Sequence, residues 1–358
     1  MKNTLILTLS ALMLLSCQKE EIIYPVGGDP TPYVIDIGKF PIPQIASDNP
    51  LTVQGVKLGR MLFYEKMLSG DNTMSCASCH QQKNAFSDTN QFSIGIRGQN
   101  GKRNAMGIFN LAWHGNEFFW DGRAHLLRDQ SLRPIQDHLE MDENLENVVS
   151  KLSGSRLYTD QFIAAFGIED ITTDRISKAL EQFMVSIVSN QSKYDQYLAG
   201  NLSLNTDEER GRVLFFKERN PFYPGLSGPD CAHCHNGSNF RNNKYLNNGL
   251  DDEASITDIG RQSVSLNPDD KGKFKVPSLR NIALTAPYMH DGRFKSLEDV
   301  IDHYDHNIKP STSLDPVLEE RRETGLHLSA QDKSDLVAFL KTLTDQQLLS
   351  DARYSSPF

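Results

Sequence analysis

Hydrophobic positions recur at helical spacing in a few well-separated stretches. Residues 59–64 (GRMLFY) and 211–216 (GRVLFF) are short amphipathic segments of nearly the same sequence. Longer helical patterns cover 176–198 and 332–342, and around the second Leu336, Phe339, Leu340 and Leu343 make one apolar face. Ser296 reads as an N-cap with Asp299 three places on, which sets Leu297, Val300 and Tyr304 along one side of a helix. Strand signals are sparse and short. Residues 220–230 and 241–275 are rich in Gly, Asn, Pro and Asp and read as loops. At the start, Lys2 precedes an apolar stretch from Leu5 to Leu15 that ends at Cys17. No run reaches the roughly 20 apolar residues of a membrane span, so this stretch reads as a secretory signal.

Composition narrows the class. The chain has 358 residues, 38% apolar and 23% charged, with a formal net charge of −9. That length allows two domains with their own cores. The acidic balance argues against a nucleic-acid surface and suits a basic protein partner.

The five cysteines carry most of the chemistry. Leu14-Leu15-Ser16-Cys17 resembles a bacterial lipoprotein box, with residues 1–16 as signal peptide and Cys17 as the lipidated first residue of the mature chain. The polar stretch that follows reads as a tether over 17–39. The expectation is a periplasmic or cell-surface lipoprotein, held to the outer membrane by its lipid alone. The other four cysteines form Cys76-Ala-Ser-Cys79-His80 and Cys231-Ala-His-Cys234-His235, two copies of the attachment site of c-type haem. In each, two thiols add to the haem vinyl groups and the histidine supplies the proximal iron ligand. The cofactor expectation is therefore two covalently bound haems.

The halves echo each other around these motifs. The amphipathic segments at 59–64 and 211–216 each precede a haem site, where their apolar side can pack on porphyrin. Downstream, Phe119-Trp120-Asp121-Gly122-Arg123 parallels Met289-His290-Asp291-Gly292-Arg293. The pattern predicts a mainly α fold of two cytochrome-c-like haem domains, 40–203 and 204–358, related by an internal pseudo-repeat, with long loops and few short strands.

The runs at 57–80, 118–130 (FFWDGRAHLLRDQ) and 274–292 (FKVPSLRNIALTAPYMHDG) closely resemble the bacterial di-haem cytochrome c peroxidase family, one branch of which contains MauG. The resemblance covers roughly 40–345. It implies reduction of H2O2 to water, through high-valent iron at the His80 haem and electrons relayed from the His235 haem. Electrons would come from a small redox protein, a cytochrome c or a cupredoxin. Trp120 matches the tryptophan lying between the haems. Gln130, Pro134 and Glu140 match the pocket above the peroxidatic iron. Asn104, Thr285 and Pro287 occupy the positions of a calcium site between the haems, and oxygen donors of this kind suit calcium. Family members are often homodimers. His290 reads as a hydrogen-bonding or core histidine rather than an iron ligand.

Two positions depart from the peroxidase pattern. Where reductively activated members carry a loop histidine that caps the peroxidatic iron, this chain has Ile96, which cannot ligate. His114 is the nearest substitute, although it reads as a surface histidine. Where most peroxidases place a methionine on the second iron, this chain has Tyr304, as MauG does. Tyr304 would be the sixth ligand or a neighbour of that iron, with His303 and His306 as rivals. Both departures favour a MauG-like alternative, oxidation of residues on a partner protein. A non-enzymatic di-haem electron carrier or sensor is the third reading.

Overall fold

A computed structural model describes residues 27–115, 117–220, 222–223 and 226–358. The expected signal segment 1–16 and Cys17 lie outside the described residues. The fold is mainly helical. The first half holds α1 (Val53–Tyr64), α2 (Cys76–Cys79), α3 (Leu127–Gln136), α4 (Leu145–Ser153), α5 (Arg156–Phe166) and α6 (Thr173–Ser186). The rest holds α7 (Lys193–Leu198), α8 (Thr206–Phe216), α9 (Gln262–Ser265), α10 (Leu297–His306), α11 (Pro316–Glu319) and α12 (Ala330–Lys341). Among the described residues the only sheet is the two-residue antiparallel pair of β1 (Tyr245–Leu246) and β2 (Phe274–Lys275). No described helix is long and apolar enough to cross a membrane.

The two amphipathic segments become the centres of two separate cores. α1 packs across α6, burying Leu58, Leu62 and Phe63 against Leu180 and Phe183. α8 packs across α12, where Phe215, Phe240, Phe339 and Tyr194 form an aromatic cluster with centroids 5.2 to 6.3 Å apart. Each crossing turns on a glycine. A Cβ at Gly59 would sit on the Ala179 carbonyl oxygen, and one at Gly211 on the Asp335 carbonyl oxygen. Backbone rather than a movable side chain stands in the way. Gly211→Ala is therefore expected to destabilise the folded protein by about 1–3 kcal/mol in spite of alanine's better helix propensity. A thermal melt of the haem-loaded variant checks this; an unchanged Tm would mean the helices slide apart at no cost.

The helix starts were legible. Ser296 accepts from the Asp299 amide at 3.1 Å while the Asp299 carboxylate accepts from the Ser296 amide at 3.2 Å. Asn205 and Glu208 form the same reciprocal box at the start of α8.

Two expectations need correction. The single helix expected over 176–198 breaks at Ile187, an extended residue that caps α6. Tertiary partners take its next backbone groups: Asn110 donates its amide to the Ile187 carbonyl at 2.9 Å and accepts from the Ser189 amide at 2.7 Å. A new box at Ser192 and Asp195 then starts α7. The tether expected over 17–39 is docked from residue 28 onward. The Asp29 amide donates to Ala164 at 2.8 Å, the Tyr33 amide to Leu51 at 3.0 Å, and Phe40 packs edge-on against Trp113. At the other end, Leu348 and Tyr354 return to the first core, where the Tyr354 hydroxyl donates to Ser186 at 3.0 Å.

Candidate haem sites and distal pocket

Both C-x-x-C-H motifs fold into one tight turn that presents the histidine. The amide of His80 donates to the Cys76 carbonyl at 2.9 Å, and that of His235 to Cys231 at 3.0 Å. His80 Nδ1 donates to the Phe86 carbonyl at 3.0 Å and His235 Nδ1 to that of Phe240 at 3.2 Å. This fixes the tautomer and leaves Nε2 as the ligating atom in both. Burial holds both imidazoles below their ordinary value, His235 at about 4, so the neutral form that can bind iron prevails. Burial likewise pushes Cys76 and Cys231 up to about 12 and Cys79 and Cys234 up to about 11. None of the four is in a disulfide.

The second motif opens on a largely apolar cavity of about 290 Å³, lined by Cys231, Cys234, His235, Phe215, Leu279, Ile301, Leu336 and Leu340. An apolar cradle with two thiols and one pre-oriented imidazole on its wall fits a porphyrin. The same donor set stands at Cys76, Cys79 and His80.

Near the first motif, α3 sets Gln130 and Pro134 four residues apart, on one face. The chain then doubles back: the Glu140 amide donates to Asp137 at 2.9 Å and the Met141 amide to Pro134 at 3.2 Å. The loop carrying Ile96 lies directly on this turn, with the Ile96 amide donating to the Glu140 carbonyl at 2.9 Å. Gly95 makes that approach feasible, since any Cβ there would meet the Leu139 carbonyl. Ser93, on the same loop, donates to Asp88 at 2.7 Å, and the charge of Glu140 bears on both Cys76 and Cys79. Glu140 thus stands beside the first haem motif. Burial, helped by the neighbouring charge of Asp137 and opposed by Arg123, pushes its carboxyl up to about 7.

Asn104, Trp120, Thr285, Pro287, His290 and Tyr304 all border the cavity that contains His235. The Trp120 indole donates to the Asn104 carbonyl at 2.8 Å. The Asn104 side-chain amide donates to the Asn90 and Gln91 carbonyls at 3.3 and 3.2 Å, which turns its oxygen away from those two acceptors. His290 stacks on Phe274 with centroids 3.7 Å apart, as a core histidine does. The rivals of Tyr304 point elsewhere: His303 Nε2 is bonded to the Asn248 carbonyl at 2.9 Å, and His306 is exposed beside Asp305. Only Tyr304 of the three lines the cavity. Asn248 donates to its hydroxyl at 3.4 Å.

His114 is not the surface histidine expected from sequence. It is 8% exposed, stacks on Phe118 and meets the Arg241 guanidinium. It borders the second haem cavity rather than the first motif. Arg241 itself carried no signal, being one charge in an Asn-rich loop.

The fold and the paired motifs define a helical protein with two c-type haem sites, with a largely desolvated acid beside one of the motifs. The chain belongs to the di-haem cytochrome c peroxidase family, whose pattern matches residues 53–203. It is 34% identical to the cytochrome c551 peroxidase of Nitrosomonas europaea over 310 residues, covering 86% of this chain and 85% of that protein. It is also 34% identical to the methylamine utilization protein MauG of Methylorubrum extorquens, covering 82% of this chain and 79% of the relative. A crystal structure of a MauG-like protein associated with microbial copper homeostasis superposes with a TM-score of 0.81 at 35% identity, over 91% of this chain and 99% of that one.

Proposed function

We propose that the protein reduces H2O2 to two waters, consuming two protons and two electrons that a small cytochrome c or cupredoxin delivers singly. The observation that carries this reading is Glu140, a carboxyl held near neutrality beside the Cys76–His80 motif. Haem bound at the two motifs supplies the redox chemistry, with peroxide taken at the His80 site and electrons stored at the His235 site. Glu140 accepts the proton of the inner peroxide oxygen and returns it to the outer one, which makes water the leaving group. Gln130 hydrogen-bonds the bound peroxide, and Pro134 on the same helical face limits the space above it. Trp120 lies on the electron path between the sites. Asn104 and the carbonyls of Thr285 and Pro287 hold a calcium ion, an assignment supported by their shared cavity and oxygen chemistry. Tyr304 would stand beside the haem attached at Cys231 and Cys234, supported by its place in the lining where His303 and His306 have none. We assign 40–203 and 204–358 as the two haem domains, with the 348–354 segment crossing back to the first core. We also assign a lipid anchor at Cys17, a place in the periplasm or on the cell surface, and a homodimer.

Ile96 and Tyr304 together favour a second reading, MauG-like oxidation of residues on a partner protein at the same site. Both readings share an open first iron. The test is the absorption spectrum of the oxidised, haem-loaded protein before and after stoichiometric H2O2 with no reductant. A rapid change in the haem bands is expected. A spectrum that changes only after one electron is added would overturn the open-iron assignment. No change in either state would leave the electron carrier.

A further inference from the structure

We infer that His114, Arg241 and Lys275 form a carboxylate-binding socket between the two halves, and that its ligand is the propionate group of the haem attached at Cys231 and Cys234. The inference rests on haem being attached there.

All three side chains line the cavity that contains His235. Arg241 donates to the Trp113 carbonyl at 2.8 Å and to His114 Nδ1. Among the described residues no carboxylate forms an ion pair with it, and burial alone draws it down to about 10. A largely buried guanidinium facing only a carbonyl and a neutral ring lacks its counter-charge, and that is costly until an anion supplies it. His114 adds a second demand. Its Nδ1 is the acceptor from Arg241, so its proton resides on Nε2. Among the described residues, that buried Nε2 has no hydrogen-bond partner. A buried donor left unmet costs more than the bond itself gains, so an acceptor belongs at this point of the wall. Lys275 brings further positive charge: it is 2% exposed and repelled by Arg241. Glu117 attracts Lys275 but is itself held by Arg261 at 2.9 Å and the Tyr245 hydroxyl at 3.1 Å, and it forms no ion pair with Arg241.

A carboxylate meets these needs at once, as an acceptor for the Arg241 fork, an acceptor for His114 Nε2–H and a counter-charge for the cluster. Porphyrin carboxylates enter with the cofactor itself, which explains how a socket so enclosed is filled. His114 comes from the first half, while Arg241 and Lys275 come from the second, so the cofactor of one half is held by a residue of the other. Positive charge beside the haem favours its reduced form. Loss of Arg241 therefore shifts the couple toward the oxidised state.

The test compares haem-loaded wild type with Arg241→Gln, Arg241→Lys, His114→Phe and, as a nearby control, Arg261→Gln. Resonance Raman reads the propionate bending bands, spectroelectrochemistry reads the second haem, and intact mass counts the haems. In Arg241→Gln the propionate band of one haem is expected to move, and the reduced-to-oxidised ratio at fixed potential to fall about tenfold, about 59 mV for one electron. Arg241→Lys keeps the charge without the fork, so its band moves while its potential changes less; it decides the matter where the Gln variant does not load. His114→Phe moves the same band, and Arg261→Gln does not. Unchanged bands and potential in both Arg241 variants would overturn the socket. So would a wild-type spectrum that changes when chloride is exchanged for nitrate, which marks a free anion as the occupant. A haem count of one in the wild type would instead reject the attachment reading.

Discussion

Glu140→Gln is expected to lower peroxide turnover by about 10²–10⁴-fold while leaving both haem potentials essentially unchanged. Glutamine keeps the size and can still hydrogen-bond, but it cannot take the proton that must move from one peroxide oxygen to the other. The pH dependence follows from the same group. Only ionised Glu140 can accept that proton, and burial pushes its carboxyl from 4.5 up to about 7, so the wild-type rate rises as pH rises through about 7. Asp137 lifts Glu140 and Arg123 lowers it. Asp137→Asn should therefore move this limb to lower pH, and Arg123→Gln to higher pH. Stability has the opposite sense. Between 4.5 and about 7 the folded protein retains a proton that the unfolded chain has already lost, so stability falls as pH rises across that window. Glu140→Gln should flatten both curves. Steady-state kinetics and urea melts from pH 5 to 8 check them together; a variant that keeps full turnover would remove Glu140 from the chemistry.

Ile96→His should convert a site that meets peroxide in the oxidised state into one that first needs an electron. The Ile96 loop is pinned on the Glu140 turn by a hydrogen bond of 2.9 Å from the Ile96 amide to the Glu140 carbonyl and by the close approach at Gly95. A histidine there is carried on a loop already tied to the first haem motif. If its bond to iron is worth about 3 kcal/mol, roughly one molecule in a hundred stays open and the rate in the oxidised state falls about 100-fold. Stopped-flow absorbance of the oxidised and half-reduced variant separates the cases. A variant as fast as wild type in the oxidised state would show that the loop does not reach the iron.

The residues that sequence alone assigned share one property: their chemistry is written in local spacing. Cys76-x-x-Cys79-His80 and its copy need only one turn of chain to bring two thiols and an imidazole to one face. Ser296 with Asp299 declares a helix start through bonds spanning three residues. Gly59 and Gly211 stood in matching segments before any contact was known. Where long-range bonds compete with local pattern, the tertiary structure decided. The helix over 176–198 breaks because Asn110, far away in the chain, captures the backbone after Ile187. Tyr304 is separated from His303 and His306 only by which side of α10 faces the cavity and by the Asn248 carbonyl that occupies His303. By charge pattern alone Glu140 is one acid among Asp137, Asp142 and Glu143, and only the doubled-back chain partly buries it. His114 and Arg241 lie 127 residues apart in sequence. Desolvation and the loss of counter-charges arise only when such distant segments close on one another, so no local pattern could have announced them.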